Sequence, residues 1–386
     1  MNVLYIDRPA ALAECCARLQ KADWLALDTE FIREKTYYPQ LCLIQVAAED
    51  EIACIDPLAL PDLDPLLDLL YDPAITKVFH AAYQDLEIFF HLRGAVPAPV
   101  FDTQLAATVL GYGEQIGYAA LVKAVLGVEL DKSQTRTDWS RRPLDEAQLA
   151  YAADDVRYLC QVYRGQQAEL GRLERLGWLA EDFKALSDPR QYALPAEDLW
   201  QRIRGHQQLR GVQLAILRAL SGWREEQAIV ANRPRRWIAG DEVLLELARH
   251  QPKNLESMQR IRGLESGLLR RHGQTLLNLI ARTFNEPAEL WPRLPASRRL
   301  SQTQEALVDA MLAVVRLRGA QQGVSPQTLA GRQDLERLLG GAEDVPLLHG
   351  WRAAVAGREV TALLRGERRL EVRTGELHIV ESFESL

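Results

Sequence analysis

Residues 24–31 read WLALDTEF, a mostly apolar segment with the composition of a β-strand. Two further strand-like segments follow, LCLIQVAA at 41–48 and EIACID at 51–56, and only two residues separate them, so we expect a hairpin. Another short strand is predicted at 77–82 (KVFHAA), with helices after it. Antiparallel strands followed by alternating helices and strands predict an α/β domain with a mixed sheet and helices packed on it.

Helical patterns continue from that last strand. A helix is predicted over 84–92, and Gly94 is expected to end it, because glycine readily adopts the left-handed conformation that closes a helix. Further helices are predicted at 103–110, at 117–126 and, as the longest of the set, from about 144 past 163.

The second half of the chain has a different pattern. Its composition changes near 187–198 (SDPRQYALPAED), and amphipathic helices follow at 206–285 and 301–366, with no convincing strand before the extreme C-terminus. The proline-rich segment EPAELWPRLP at 286–295 separates the two helical stretches. The sequence therefore predicts an α/β domain at 1–190, a linker at 191–205, a helical domain at 206–290, a linker at 291–300 and a second helical domain at 301–386.

Charge is distributed unevenly along the 386 residues. The net charge is −7, but residues 1–190 carry 18 basic and 30 acidic side chains, a net charge of −12, whereas residues 191–386 carry a net charge of +5. The acidic balance of the whole chain argues weakly against nucleic-acid binding, since nucleic-acid-binding domains are often basic. An acidic catalytic part joined to a basic binding part would explain the distribution, and so would chance variation between surfaces.

Composition also excludes several classes of protein. The five cysteines are scattered without a C-x-x-C pair, which argues against a disulfide framework or a zinc site and fits a reducing cytosol. The first residues lack the basic region and apolar core of a signal peptide. No apolar run approaches the ~18 residues of a membrane span, and no G-x-x-x-x-G-K-[ST] loop predicts a nucleotide cofactor. We therefore expect a cytoplasmic protein without membrane attachment.

Two carboxylates lie close together at the end of the first strand segment. Side chains alternate faces along a strand, so Asp28 and Glu30 point the same way while Leu25 and Leu27 point into the core. Two unit charges ~4 Å apart repel by about 4 kcal/mol at an effective dielectric of 20. A divalent cation is the simplest group that would offset this repulsion, although a solvated strand end would tolerate the pair as well.

Further acids lie on two of the predicted helices. Asp85 begins a helix directly after a strand, where the helix dipole favours a carboxylate and where an acid can also serve as a capping residue. Tyr151 and Asp155 lie four residues apart on the long helix and so share a face. A structural hydrogen bond between them would explain that pair alone, and Asp154 is a neighbouring acid about 100° away.

The order of these residues, D-x-E, then an Asp after a strand, then Y-x-x-x-D on a long helix, resembles the DEDD exonuclease superfamily in its Tyr-containing branch. The likeness extends to the ribonuclease D family over DTEFIREKTYYPQLCLIQVA, KVFHAAYQDLEIF, FDTQLAATVLGYGEQIGYAALVKAVLGVELDKSQTRTDWSRRPL and QLAYAADDVRYL. The helical segment from QLRGVQLAILRALSGWREEQ to NLESMQRI is similar to the helicase-and-RNase-D C-terminal (HRDC) domain. The resemblance covers nearly the whole chain, and the second helical stretch is its least distinctive part.

What the resemblance implies is an RNase H-like exonuclease domain followed by two all-α domains of HRDC type, and hydrolysis assisted by two divalent metal ions. The motifs assign Asp28 and Glu30 to the first exonuclease motif, Asp85 to the second, and Tyr151 and Asp155 to the third. The four acids would hold the metals, and the Tyr151 hydroxyl would orient the attacking water. Oxygen ligands without His or Cys favour Mg²⁺ or Mn²⁺ over Zn²⁺.

The resemblance also implies the substrate and the products. The family trims the 3′ ends of tRNA precursors and other small structured RNAs and releases nucleoside 5′-monophosphates, and a monomer is expected. The acids alone would equally serve a DNA 3′ exonuclease, because only contacts to the 2′-hydroxyl distinguish RNA from DNA. A non-catalytic RNA-binding scaffold is the other alternative, but it predicts the loss of at least one metal-binding acid, and all four are present.

Basic and aromatic residues near these motifs are candidate RNA contacts, with surface charge or core packing as the alternative for each. Phe31 follows the acidic pair and could stack on a terminal base, while the arginines of QTRTDWSRRPL and ANRPRRW could meet phosphates. The candidates are Phe31, Arg136, Arg141, Arg142, Arg233, Arg235 and Arg236. Asp102 is expected to cap a helix, and His80 is expected to be a hydrogen-bonded core histidine.

Overall fold

The computed structural model describes residues 3–48, 51–131, 133–134, 137–193, 195–294 and 300–382. Six strands form one sheet: β1 (Val3–Ile6), β2 (Trp24–Ile32), β3 (Gln40–Ala48), β4 (Glu51–Ile55), β5 (Thr76–Phe79) and β6 (Val100–Asp102). Their order is β1-β4-β3-β2-β5-β6; the pairs β4–β3 and β3–β2 are antiparallel and the other three are parallel. The predicted mixed sheet is confirmed, and β3 pairs with β4 as a hairpin, with Ala48 opposite Glu51.

Helices cover both faces of this sheet. They are α1 (Pro9–Leu19), α2 (Asp64–Leu70), α3 (Tyr83–Arg93), α4 (Thr103–Val109), α5 (Tyr118–Leu126), α6 (Glu146–Arg172) and α7 (Ala180–Leu186). Leu25 and Leu27 of β2 pack on one side with residues of α1, α2 and α3. Ala26, one residue between them, packs on the other side with Ala152 and Val156 of α6. The alternation of side chains along β2 therefore separates two apolar layers.

The predicted elements differ from the structure at several places. The strand expected over 77–82 ends at Phe79, because Ala81 adopts a left-handed backbone conformation with φ 57° and cannot continue a strand. The helix after it ends as predicted at Gly94, whose φ is 68°. The long helix α6 begins after Asp145, which forms a capping box with Gln148. Strand β1 and helices α1 and α2 had not been predicted.

Two groups of helices follow, together with a hairpin that had not been predicted. The first group, the first helical module, contains α8 (Val212–Val230), α9 (Arg235–Ile238), α10 (Asp241–His250), α11 (Leu255–Gln259) and α12 (Ser266–Phe284). The second group, the second helical module, contains α13 (Gln302–Gln322), α14 (Pro326–Leu329), α15 (Arg332–Leu339), α16 (Gly350–Arg352), a π-helical turn (Ala353–Gly357) and α17 (Arg358–Leu364). The hairpin strands are β7 (Arg368–Arg373) and β8 (Glu376–Glu381).

The two modules are packed in different ways. The first module has an apolar core of its own, in which residues of α8, α10 and α12 meet. The second module shares one apolar cluster with the sheet and α6, through side chains such as Val308 and Met311. The indoles of Trp178 and Trp351 stack across this contact, with ring centroids 4.8 Å apart and planes 8° from parallel. Among the described helices, none is long and apolar enough to cross a membrane.

The described part of the segment predicted as a linker after residue 190 contains a 3₁₀ helix at Ala196–Arg202. Tyr192 is buried against α3, where its ring stacks with that of Tyr83. Trp200 is buried in the core of the first module. Both ends of this segment are therefore anchored, one on the sheet domain and one on the helices.

Candidate active site

The acids of β2 lie in the part of the strand that has a paired neighbour along only one of its edges. Its described pairing with β5 covers Trp24–Ala26, so the following residues extend beyond that neighbour. The pairing with β3 shifts between Glu30 and Phe31, which face Leu43 and Leu41 respectively. Such β-bulges bend a strand locally and are common beside active sites. Glu30, Phe31 and Ile32, at this end of β2, are half-buried.

Three carboxylates meet at this point. Asp28, Glu30 and Asp155 each offer an oxygen atom, and these atoms all lie within 4.8 Å of one another. Asp28 and Glu30 lie on the face of β2 that is covered by α6, and α6 carries Asp155. The neighbouring Asp154 instead pairs with Arg157 one turn further along the helix. The structure thus brings the acid of the Y-x-x-x-D spacing, and not its neighbour, into the cluster.

Asp85 belongs to α3, which packs on the face of β2 opposite to the one covered by α6. It lies in the first turn of α3 and is 7% exposed. The Thr29 hydroxyl, which points to the opposite face of β2 from Asp28, donates a hydrogen bond to Asp85 Oδ1 at 2.5 Å. Thr29, which lies between Asp28 and Glu30 in β2, therefore holds Asp85 at the edge of the acidic cluster. Sequence reasoning missed Thr29, because nothing in a D-T-E triplet indicates the partner of its middle residue.

Asp102 holds the turn that leads into α3. It caps α4 as predicted, by accepting hydrogen bonds from the main-chain N–H groups of Gln104 and Leu105. Its two oxygens also accept from the N–H groups of Ala81 (3.1 Å) and Ala82 (2.9 Å), directly before α3. The carboxylate therefore stabilises the left-handed residue Ala81 and fixes where α3 begins. His80 lies beside this turn with Nδ1 3.0 Å from the Thr103 hydroxyl and Nε2 3.0 Å from the Ile116 carbonyl oxygen, as expected for a core histidine.

Burial and mutual repulsion raise the pKa values of the clustered carboxyl groups. Burial, with the charges of the three other acids, raises the pKa of Glu30 to about 9. Burial and the charge of Asp154 raise the pKa of Asp155 to about 7. Burial and the charge of Asp155 raise the pKa of Asp28 well above its usual value, and burial and the charge of Asp28 do the same for Asp85. A cation at this place would favour the ionised forms of all four groups.

The surroundings of the cluster fit a hard divalent cation. All its acidic ligands are oxygen donors, the class that Mg²⁺ and Mn²⁺ prefer. Gln45 is the cross-strand neighbour of Asp28 and is fully buried, and neither its amide nitrogen nor its amide oxygen has a hydrogen-bond partner among the described residues. A buried amide without hydrogen-bond partners costs folding free energy. If the neighbouring carboxylate bound a hydrated cation, the waters of that cation would supply hydrogen-bond partners to the amide.

Two tyrosines flank the acids. Tyr151 lies one helical turn before Asp155, and its ring packs against Trp139 with centroids 6.1 Å apart. Tyr118 of α5 donates its hydroxyl hydrogen bond to the main-chain oxygen of Asp155. Burial, with the charge of Asp155, raises the pKa of Tyr118 well above its usual value, so its hydroxyl stays protonated and remains a donor. Tyr118 had not been predicted, since its helix carries no motif of acidic residues.

The candidate RNA contacts near the cluster have different surroundings. Phe31 is half-buried directly after the bulge, and Arg141 is exposed. Arg136 lies outside the described residues. Arg142 needs a correction: it pairs with Asp56 through Nε (2.5 Å) and Nη2 (2.7 Å) and donates its remaining hydrogen bonds to three main-chain oxygens. Its donors are occupied within the protein, so Arg142 has a structural role in place of the predicted phosphate contact.

The arginines of the first helical module also differ from one another. Arg233 and Arg236 are exposed, and so is the neighbouring Trp237. Arg235 needs a correction, because its Nε and Nη2 groups form a two-pronged ion pair with Glu225, although its side chain remains 39% exposed. Its guanidinium group also lies 5.0 Å from the ring centroid of Tyr37, which belongs to the loop between β2 and β3. The structure thus gives Arg235 partners in both domains.

Comparisons with known proteins agree with this architecture. Residues 3–170 match the 3′–5′ exonuclease family, and residues 213–280 match the HRDC domain family. The chain is 41% identical over 382 residues to a ribonuclease D of Acidiphilium cryptum, which covers 97% of this chain and 96% of the relative. It is 41% identical over 376 residues to a ribonuclease D of Sphingobium indicum, which covers 96% and 97%.

A solved structure shows the same arrangement of elements. The crystal structure of Escherichia coli RNase D, described as an exoribonuclease involved in structured RNA processing, superposes with a TM-score of 0.84. The two proteins are 34% identical, and the superposition covers 95% of this chain and 99% of the other. The similarity therefore extends over the sheet domain and both helical modules.

Proposed function

The chain belongs to the ribonuclease D family of 3′–5′ exoribonucleases, and we propose that it shortens the 3′ ends of tRNA precursors and other small structured RNAs. In this proposal two divalent ions, Mg²⁺ or Mn²⁺, assist hydrolysis, and nucleoside 5′-monophosphates are released one at a time. The observation that carries the proposal is the meeting of three carboxylates from two elements, with Asp85 at their edge.

Each acid has a role in the proposed reaction. Asp28, Glu30 and Asp155 would hold one metal ion, and Asp28 with Asp85 would hold the other. When bound, a pair of such ions lowers the pKa of a water and stabilises negative charge on the leaving oxygen. The Tyr151 hydroxyl would orient the attacking water by a hydrogen bond.

The protein around the acids would position the RNA. Phe31 lies directly after Glu30 and would stack on the terminal base. Exposed Arg141, Arg233 and Arg236 would contact phosphates, which position a strand without reading its sequence. The net charge of +5 in residues 191–386 supports a binding role for the helical part.

The test uses a tRNA precursor labelled at either end, with and without Mg²⁺ or Mn²⁺, beside single-stranded DNA of the same length. We expect a metal-dependent ladder that shortens from the 3′ end of the RNA, with 5′-monophosphates as products and DNA spared. Equal or faster digestion of DNA would assign the protein to DNA end processing. Tight RNA binding without digestion in any metal would contradict an enzymatic role.

One substitution tests the assignment of the acids. Asp28→Asn removes the carboxylate proposed to be shared by both ions, so we expect the turnover rate to fall at least about a thousandfold while RNA affinity changes little. Tyr151→Phe keeps every acid and should have a smaller effect. Turnover rates and filter binding on the same RNA separate the two quantities. Retention of more than a few per cent of activity by Asp28→Asn would contradict the assignment.

A further inference from the structure

A cluster of polar contacts joins the first helical module to the loop that follows the catalytic strand. The loop spans residues 33–39, between β2 and β3. The Tyr37 hydroxyl donates a hydrogen bond to Glu225 of α8, and the Tyr37 N–H donates to Asn232 Oδ1 at 3.1 Å. Arg235 binds Glu225 and donates from Nη2 to the Tyr37 hydroxyl oxygen at 3.1 Å. Three side chains of the module thus surround one tyrosine of the sheet domain.

The same loop is held to the helix that carries Asp85. Arg33 pairs with Glu87 of α3, with nitrogen–oxygen distances of 2.6 and 2.9 Å. The ring of Tyr38 packs edge-on against His91, also of α3, with centroids 4.5 Å apart. Glu87 follows Asp85 by two residues. The loop is therefore fixed to the active centre on one side and to the helical module on the other.

The contacts also determine what the module presents to solvent. Arg235 lies between Arg233 and Arg236, which are exposed, and directly before the exposed pair Arg236–Trp237. Fixing Arg235 to Tyr37 holds these basic and aromatic side chains beside the loop of the active centre. Basic side chains next to an aromatic ring suit a single nucleic-acid strand, whose phosphates and bases they can contact together.

We propose that Tyr37, Glu225 and Arg235 form a latch that positions the first helical module at the active centre, and that the latch sets the preference for RNA long enough to reach that module. The proposal rests on the proposed exoribonuclease function. An RNA that spans both parts gains from the high effective concentration of the second contact, and this gain is largest when the distance between the two sites matches the span of the RNA. The latch would hold the two sites at such a distance. A very short RNA occupies the active centre alone and gains nothing.

The experiment compares two substrates. One is a hairpin RNA with a single-stranded 3′ end, and the other is an oligoribonucleotide of about four nucleotides, near the lower limit of a single-strand site. For Tyr37→Ala and for Arg235→Ala we expect KM on the hairpin RNA to rise about tenfold, with kcat and the rate on the short RNA unchanged. Tyr37→Phe keeps the ring and the main-chain N–H, so a rise of about threefold is expected, and this variant serves if Tyr37→Ala does not fold.

The double variant Tyr37→Ala/Arg235→Ala distinguishes a latch from a direct RNA contact. Two residues of one latch should give no more than the single effect of about tenfold, whereas independent contacts would multiply to about a hundredfold. Glu256→Gln is the matched control, because it breaks an ion pair with Arg260 on the surface of the same module, where both side chains are 77% exposed. We expect this control to behave as the wild type on both substrates.

Three outcomes would overturn the latch while the wild type digests both RNAs. They are an unchanged KM of Tyr37→Ala on the hairpin RNA, an equal loss on the short RNA, and multiplying effects in the double variant. A wild type that leaves both RNAs intact in the presence of metal would instead overturn the proposed function, and the latch with it.

Discussion

At the scale of single residues, the acidic cluster should lower the stability of the folded protein as the pH rises. The pKa of Glu30 is raised to about 9 by burial and by the other acids, and that of Asp155 to about 7. The folded protein therefore binds these protons more tightly than the unfolded chain does, where carboxyl pKa values are near 4. The stabilisation is complete below about pH 4 and is lost as the pH rises towards about 9.

The corresponding prediction concerns the metal-free protein. Between about pH 5 and about pH 9 in EDTA, the melting temperature of the wild type should fall relative to that of Glu30→Gln, by at least about 2 °C. Mg²⁺ should abolish most of the difference, because it binds the ionised carboxylates of the wild type. Thermal unfolding of both proteins at several pH values measures this. Parallel pH profiles for the wild type and Glu30→Gln would contradict the burial of a neutral Glu30.

Residue by residue, the sequence predicted what depends on local spacing. Period-two alternation in LALDTEF placed Asp28 and Glu30 on one face, whereas Asp155 was assigned to the same site through the resemblance to the exonuclease family, whose Y-x-x-x-D motif it matches. The arginines could not be assigned in the same way, because a basic side chain in a sequence does not reveal its partner. Arg142 forms an ion pair with Asp56, which lies 86 residues away in the chain. Arg235 pairs with Glu225 and also contacts Tyr37 of the sheet domain.

At the scale of elements, Arg142 fixes the segment that leads into the catalytic helix α6. Asp56 directly follows β4 and is 1% exposed, while the side chain of Arg142 is 24% exposed. Burial raises the pKa of Asp56, but the hydrogen bonds from Arg142, Tyr5 and the Leu58 N–H, together with the charge of Arg142, outweigh this effect and hold the pKa below its usual value. The Tyr5 hydroxyl donates a third hydrogen bond to this carboxylate at 2.5 Å. The network thus ties β1, β4 and the start of α6 together.

Removing the charge of Asp56 should therefore destabilise the whole sheet domain. Asp56→Asn leaves the guanidinium of Arg142 partly buried without its counter-charge, which we expect to cost about 3 kcal/mol in the free energy of unfolding. Urea denaturation measures the loss. Glu129→Gln is the control, since it breaks an exposed pair with Lys123 and should cost less than about 1 kcal/mol. Equal effects of the two substitutions would show that the buried pair contributes no more than a surface pair.

The elements themselves were predicted best where the local pattern was long or strongly marked. Helix α6 has an N-terminal capping box and 27 residues, and α3 ends at a glycine, so both could be located. Strand β1 has four residues at the edge of the sheet, too few for a periodic pattern. The early end of β5 depends on hydrogen bonds from Ala81 and Ala82 to Asp102, which lies about twenty residues further along the chain. Local sequence carries no signal of that contact.

At the scale of the whole molecule, the second helical module behaves as part of the exonuclease domain. Trp178 and Trp351 stack between two guanidinium groups, those of Arg175 and Arg352, each less than 5 Å from the nearer ring centroid. Arg352 also pairs with Asp182 of α7 at 2.9 Å. Helical periodicity predicted that the module has an apolar face, but it could not predict that this face packs on the sheet domain.

This shared core predicts that damage in the second module weakens the catalytic helix. Trp351→Ala removes a buried indole from the stack and should destabilise the shared cluster by about 3–5 kcal/mol. Hydrogen–deuterium exchange should then become faster in α6, because local opening reports the free energy of the unit to which a segment belongs. Leu217→Ala is the matched control, since Leu217 is buried in the separate core of the first module. It should accelerate exchange in α8 and leave α6 protected. Unchanged protection of α6 in Trp351→Ala would show instead that the second module unfolds independently, and that the exonuclease domain keeps its stability without that contact.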